Sequence, residues 1–244
     1  MGTTAFANNA FYITVSNQVA RKQDLQIITN NASNSNTVGY EEDSVLFGTQ
    51  EVMQSSKKNN SYVITEGVYK PGELGPLKFT NNPLDVAIIG KDQYFKILSP
   101  RGVRYTLAGA MIRNSQGLIV NSEGYSFLSI NNDVLQVPPE ASEIVVANDG
   151  TIYADQEEVG RIAVVSIPNP NSLIKEGNSL YRSTASELPL DEYTVQSGAL
   201  RASNVNAARV MGQTIETQRS FSITSSLLGE INDTEKQAIN KFLK

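Results

Sequence analysis

A chain of 244 residues with 40% hydrophobic content can bury a sizeable core, and its 20 basic and 25 acidic residues leave a net charge of −5. The charges are interspersed, which excludes the basic footprint a phosphate backbone demands and argues against a nucleic-acid partner. Cysteine and histidine are both absent, which excludes disulfides, thiolate or imidazole metal sites, cysteine nucleophiles and histidine-based triads.

The opening "MGTTAFANNAFYITVSNQ" lacks the basic start and apolar block of a cleaved signal. No apolar run approaches the roughly 20 residues that cross a bilayer, so no membrane insertion is expected. From Asn8 to Asn31 the spacing predicts a helix: neither Gly nor Pro interrupts it, and Tyr12, Val15, Val19, Leu25 and Ile28 recur at intervals of three to four or near it. The stripe is narrow and drifts past Gln18, Lys22 and Gln26, so the helix buries little surface alone. The stretch "TNNASNSNTVGYEED" (29–43) then ends it, because Asn tolerates the left-handed conformation that stops a helix and Gly39 permits another such bend. Residues 41–70 mix polar and apolar residues without a sustained period and read as an extended connection.

Between Pro71 and Leu190 the texture changes to short apolar or alternating runs, such as "LDVAIIG", "QYFKIL", "IVVANDGTIYA" and "GRIAVVSI". These are strand-like in length and branching, and separators such as Ser122-Glu123-Gly124 and Asn148-Asp149-Gly150 are hairpin chemistry. Pro168 and Pro170 end the last strong run. From Ser203 to about Leu228 a second helix is predicted, with Ser203 as N-cap. Its positions 204, 207, 211, 214, 218, 221, 225 and 228 step by alternating threes and fours, the spacing that keeps one seam on a partner helix. That seam is half polar. The fold class is therefore α+β, mainly β: a multi-stranded β domain in the middle of the chain, flanked by N- and C-terminal helices that pack together on assembly.

Little in the chain reads as catalytic or cofactor chemistry, and no metal or cofactor site is expected. "NDGTIYAD" places Asp149 and Asp155 around a glycine but lacks the ligand alternation and closing Glu of a calcium loop. "IIGKDQYF" has a Gly-Lys pair without the flanking residues of a phosphate loop. Asn31, Asn59 and Asn232 open triplets of the glycosylation type, a pattern common by chance in an Asn-rich chain. Two readings from other classes stay open at this point. One is a carbohydrate-binding β module with Tyr94 and Phe95 as an aromatic platform. The other is a carboxylate-based glycosidase using acids such as Asp85, Asp133 or Asp149.

Three blocks carry a resemblance. Asn30, Asn31, Asn34, Thr37, Gly39 and Tyr40 match the pattern Asn-Asn-x-Ala-Asn-x-x-Thr-x-Gly-aromatic, with Ser33 in place of Ala. "GPLKFTNNPLDVAIIGKDQYFKI" is similar to a Gly-x-Leu…Thr-x-Asn-Pro-Leu-Asp-x-Ala-Ile-x-Gly segment. "GALRASNVNAARVMGQTIETQRSF" follows a C-terminal signature through Gly198, Leu200, Ser203, Asn204, Val205, Met211, Ile215, Gln218, Arg219 and Phe221. In this order and spacing the chain resembles the flagellar rod and hook axial proteins, its short length and N-terminal stretch looking closest to the proximal-rod members, with the distal rod as alternative. Arg201 and Val210 stand where that family usually has glutamate, departures that touch surface pairings.

The resemblance implies a non-enzymatic structural subunit of the bacterial basal-body rod that transmits torque to the hook. Its partners would be other rod and hook axial proteins, further copies of itself in a helical array, and the flagellar export apparatus. Export from the cytoplasm without a cleaved signal would deliver it to the periplasm-spanning rod. The implied organisation is a terminal helical assembly domain (1–40 and 198–244), a connection (41–70), the β domain (71–190) and a return linker (191–197). The two terminal helices, marginal alone, are expected to order on assembly. The assembly residues are those of the first and third blocks.

Overall fold

The computed structural model describes residues 2–54 and 58–242. The chain divides into two compact units, one formed by Met1–Ser33, Asp43–Tyr69 and Asn206–Lys244, the other by Asn34–Glu42 and Lys70–Val205. The architecture is α+β and mainly β.

In the first unit, helix α1 (Gly2–Ser33) packs antiparallel against helix α2 (Ala207–Phe242). The direction follows from two cross-links: Gln18 Nε2 donates to Ser225 Oγ at 2.9 Å and Thr217 Oγ1 to Asp24 Oδ2 at 3.3 Å. Burial pushes the Asp24 carboxyl up, opposed by that hydroxyl and by Arg21. The partner that each thin stripe calls for is, in the structure, first the other end of the same chain.

The seam differs from the sequence reading. On α1, Thr14, Ala20, Ile28 and Asn31 are buried, while Tyr12 and Val19 are exposed. On α2 the buried positions are Val210, Thr217 and Thr224, one heptad apart, with Thr214, Phe221 and Leu228 half-buried; Met211 and Gln218 face out. The period is as expected and the positions 214, 221 and 228 hold, while 211, 218 and 225 give way to 210, 217 and 224, one residue earlier. Threonine hides this because it reads as polar, yet Thr214 and Thr224 return their hydroxyls to the carbonyls of Val210 and Ser220, which frees their methyls to pack. The cap also moves: Asn206 Oδ1 accepts from Arg209 N–H at 3.0 Å, so Asn206 caps α2 and Ser203 instead accepts from Val205 N–H in the preceding turn.

Residues 41–70, read as a connection, contain a long antiparallel hairpin, β1 (Ser44–Gln54) and β2 (Lys58–Tyr69), on which α1 packs. A register shift between Leu46 and Phe47 interrupts the alternation. One extra residue turns every later side chain to the other face, which is why no sustained period of two was legible.

The second unit is built on a nine-stranded sheet running through Leu173–Gly177, Leu180–Ser183, Gly102–Thr106, Gln93–Ser99, Ser126–Phe127, Ile119–Val120 and Ile112–Arg113, with Val164–Ser166 and Leu188–Pro189 attached to one side. A three-stranded sheet (Ile144–Val146, Thr151–Ala154, Glu157–Arg161) is inserted in sequence between its strands Ser126–Phe127 and Val164–Ser166, and two short pairs join Val86–Ile88 to Val195–Ser197 and Leu77–Phe79 to Ala199–Arg201. The strand Gln93–Ser99 separates two cores, one per face. Phe95 and Ile97 enter the larger cluster with Val86 and Phe127, while Tyr94 enters a smaller one with Tyr105, Leu107 and Tyr181. Its apolar run 94–98 is broken only by Lys96, which is buried and paired with Glu187. Among the described residues no helix is long and apolar enough to cross a membrane.

Candidate functional site

The N-terminal signature does not act as one cluster. In the first unit, Asn31 is buried and its amide makes both bonds of a ladder pair to Asp43: Nδ2 donates to Asp43 O at 2.7 Å and Oδ1 accepts from Asp43 N–H at 3.1 Å. One side chain thereby satisfies the backbone where the chain enters the hairpin. Asn31→Ala is expected to cost about 1–3 kcal/mol, the penalty for leaving both groups unmade, read as a lower urea midpoint for the full chain. Asn30 lies exposed in the last turn of α1.

In the second unit, residues 34–42 form a strap across the β structure. Thr37 folds back on Asn34 through its N–H (3.1 Å to the carbonyl) and its hydroxyl (3.1 Å to Oδ1), and Tyr40 N–H donates to Thr37 O. Gly39 then donates to Arg201 O at 2.8 Å, in a left-handed conformation (φ +67°). Asn204 ties three segments together: its N–H donates to Tyr40 O, its Oδ1 accepts from Glu42 N–H at 2.6 Å, and its Nδ2 donates to Glu73 O at 2.8 Å. Gly39 and Tyr40 from one signature are therefore bonded to the segment of the other, through Arg201 O and Asn204 N–H.

Sequence reasoning missed the charged side chains that complete this junction. Glu41 is 7% exposed, and Tyr94 OH donates to both its carboxylate oxygens at 3.2 and 3.3 Å. The Lys175 ammonium donates to Glu41 O and sits 4.1 Å from the Tyr40 ring centroid, while Lys70 donates to Leu173 O and sits 4.9 Å from the Tyr181 ring. Burial pushes the Glu41 carboxyl up, against the opposing pull of Lys70, the Tyr94 and Tyr181 hydroxyls and Lys175. The folded chain thus holds the Glu41 proton to higher pH than the unfolded chain does. As pH rises from the ordinary carboxylate value through the raised folded one, Glu41 subtracts stability. Glu41→Gln removes that component, so urea unfolding across this window should give a variant whose stability relative to the parent increases toward neutral pH.

Arg201 is the second missed residue. Far from a surface pairing, it is buried, its guanidinium donating to Gly75 O at 2.9 Å and to Ile88 O, and its Nε finds no partner. Val210, the other departure from the signature, is also buried. An apolar run flanking a charged residue gave no sign that the charge would face inward.

The remaining signature residues lie on α2 and divide by exposure. Phe221 is half-buried, whereas Met211, Ile215, Gln218 and Arg219 are exposed. Met211 (69% exposed), Ile215 (55%), Ile223 (67%) and Leu227 lie on one row in steps of four residues whose central position is the exposed Arg219, beside an open groove lined by Gly212, Glu216 and Ser220. Rows at this spacing are the ridges that interlock when helices pack.

The carboxylates considered for other chemistry have backbone duties in separate turns. Asp85 accepts from Asn82 Nδ2, the Asp133 main chain closes a turn with Ser129, and Asp149 accepts from the N–H and hydroxyl of Thr151, bonds that hold its carboxyl low. Asp155 accepts from the N–H groups of Ser142 and Glu143. Tyr94 and Phe95 are fully buried and offer no stacking platform.

Two family models match the chain. The flagellar hook protein FlgE/F/G D1 domain matches residues 87–154, and the flagellar basal body rod FlgEFG protein C-terminal domain matches 196–241. Among curated relatives, the flagellar basal-body rod protein FlgF of Caulobacter vibrioides is 27% identical, covering 97% of this chain and 99% of its own. FlgF of Mesorhizobium japonicum is 28% identical over 95% and 96%, and the rod protein FlgG of Bacillus subtilis 28% over 88% and 92%.

Proposed function

Since this chain belongs to the flagellar rod and hook axial proteins, we propose that it is a FlgF-type structural subunit of the proximal rod, polymerising with other axial proteins into the shaft that drives the hook. The observation that carries this reading is the exposed ridge of α2: Met211 and Ile215, both signature residues, are large apolar side chains that the chain's own fold leaves uncovered. Large apolar side chains left exposed along one row of a helix are where another chain seats. Copies joined through unlike surfaces give a helical array, because the rotation relating neighbours need not close. FlgF-type is preferred to FlgG-type because the alignment with FlgF of Caulobacter vibrioides spans 243 positions, close to this chain's own 244 residues, whereas the FlgG of Agrobacterium fabrum, covered as completely, needs 266.

The same reading places the protein in the basal body, non-catalytic, with its neighbours in the rod as partners. Export runs through the flagellum's own channel as an unfolded chain, and a cysteine-free sequence avoids misplaced cross-links on arrival in an oxidising space. The signature residues then divide their work. Asn31, Asn34, Thr37, Gly39, Tyr40 and Asn204 shape the chain that is to be assembled, while Met211, Ile215, Gln218 and Arg219 meet the neighbours.

The test is deletion of the gene together with electron microscopy of basal bodies purified from cells carrying a tagged copy. The deletion should abolish swimming and leave the rod incomplete, with the tag located in the proximal rod. Normal swimming with a complete rod would overturn the proposal, and a tag in the distal rod would reassign the subunit to the FlgG type.

A further inference from the structure

The β unit carries an arginine cluster that its own fold does not use up. Glu176 is surrounded by three guanidinium groups, but two of them satisfy it: Arg104 Nε donates to Oε2 at 2.7 Å and Arg182 Nε to Oε1 at 3.2 Å. The third, Arg101, stands 4.0 Å away, beyond hydrogen-bond reach, with its side chain 78% exposed. The Arg104 bond first of all holds the Glu176 carboxyl low, so one negative charge faces three positive ones.

Arg101 is also held in place. Its N–H donates to Ser99 Oγ, its carbonyl accepts from Arg104 Nη1 at 3.0 Å, and Gly102 closes the turn at φ +94°. A fixed turn thus carries a solvent-exposed guanidinium, ion-paired to Glu176 at 4.0 Å but making no hydrogen bond, at a cavity of about 200 Å³ lined also by Glu176 and the buried Arg104. A second cavity of about 290 Å³ adjoins it, with Asn178 in the wall of both. That one is lined by small residues such as Thr37, Ala108 and Ser122, and by the carboxylate of Glu123, which Asn121 fixes at 2.6 Å.

We propose that Arg101 and the adjoining cavities form a docking site for a segment of a partner protein chain that carries an acidic side chain followed by a basic one. The acid pairs with Arg101 in the smaller cavity, and the basic residue reaches Glu123 in the larger. The first cavity alone would suit any small anion. The second, which carries the Glu123 carboxylate and shares Asn178 with the first, is what a polypeptide reaches and a free anion does not. A planar guanidinium on a pre-set turn suits a carboxylate because little rotamer freedom is lost on pairing. This site lies on the β unit and does not depend on the rod reading.

The experiment is a low-salt NMR titration of the full chain, following the side-chain amide signal of Asn178, which lines both cavities and is present in parent and variant alike. The probes are a capped Ala-Glu-Gly-Lys peptide, its Gln-for-Glu counterpart, and inorganic phosphate. The glutamate peptide should saturate the signal. Binding should weaken about tenfold for the glutamine peptide and for Arg101→Gln, the loss of one charge-assisted pair. Arg101→Gln should melt with the parent, since the Arg101 guanidinium makes no hydrogen bond within the fold. Equal binding by the variant, no binding by the glutamate peptide, or phosphate binding as tightly as the peptide would each overturn the assignment.

Discussion

Replacing Gly39 by alanine is expected to destabilise the β unit by about 3–5 kcal/mol, among the largest effects a single methyl can have. Two costs combine. Gly39 sits at φ +67°, where an L side chain pays about 1–2 kcal/mol. A Cβ there would also stand 2.4 Å from Ala108 N, 2.6 Å from Leu107 C and 2.8 Å from Ala108 Cα, all of them backbone. A flexible side chain could swing away from such a contact; this backbone continues from the strand Gly102–Thr106 and cannot move without disturbing the sheet. The strap must lift instead, losing the Gly39 N–H bond to Arg201 O. Thermal unfolding of the full chain should show a fall of about 10 °C or more. Gly124→Ala separates the two costs, since Gly124 is also left-handed (φ +82°) but has nothing within 4 Å of the added atom. That control should lose only about 1–2 kcal/mol, and equal melting of the two variants would remove close approach from the account.

Gly39 was visible in the sequence, but only as a bend. Local rules carry information about backbone conformation and period, and these were legible: both helices, the run of short strands and the hairpin turns follow from spacing and from Gly, Asn and Asp at separators. What a glycine approaches is a tertiary fact. The same limit hid Glu41, whose position among two acids reads as a solvated end, whereas Tyr94, Lys70 and Lys175 come to it from segments 29 to 134 positions away. It also hid the register of α2. A choice between Met211 and Val210 as the inward position depends on which neighbouring positions can bury a threonine, and Thr217 finds its answer in Asp24 on the other helix. The hairpin β1–β2 escaped for a local reason, its bulge at Leu46/Phe47. The resemblance grouped the signature residues as one assembly set. Geometry divides them, because Gly39 and Asn204 spend their bonding capacity inside the chain while Met211 and Ile215 leave most of their surface outside it.

That division predicts a second large effect, on assembly and not on folding. Ile215→Asp combined with Ile223→Asp should leave the chain's melting almost unchanged. Both side chains are more than half exposed, and Ile and Asp differ little in helix propensity, so about 0.5–1 kcal/mol is the expected change in stability. Incorporation into the rod is another matter. Burying two isoleucines against a neighbour contributes about 1.5–3 kcal/mol each, and forcing two carboxylates into the same contact adds a desolvation cost on top. A combined loss of about 5 kcal/mol or more lowers occupancy of each lattice position by over a thousandfold. Cells carrying the pair in place of the parent gene should be non-motile with the protein present and folded. Ile215→Leu with Ile223→Leu keeps the apolar ridge and should keep swimming. Motility of the aspartate pair at parental level would show that the α2 ridge is not the surface on which copies meet. Loss of motility with a collapsed melting curve would instead place both residues in the fold, against their exposure. The contrast with Gly39→Ala makes the pair informative, since one variant should weaken the fold of the subunit and the other should leave a well-folded subunit that nothing can join.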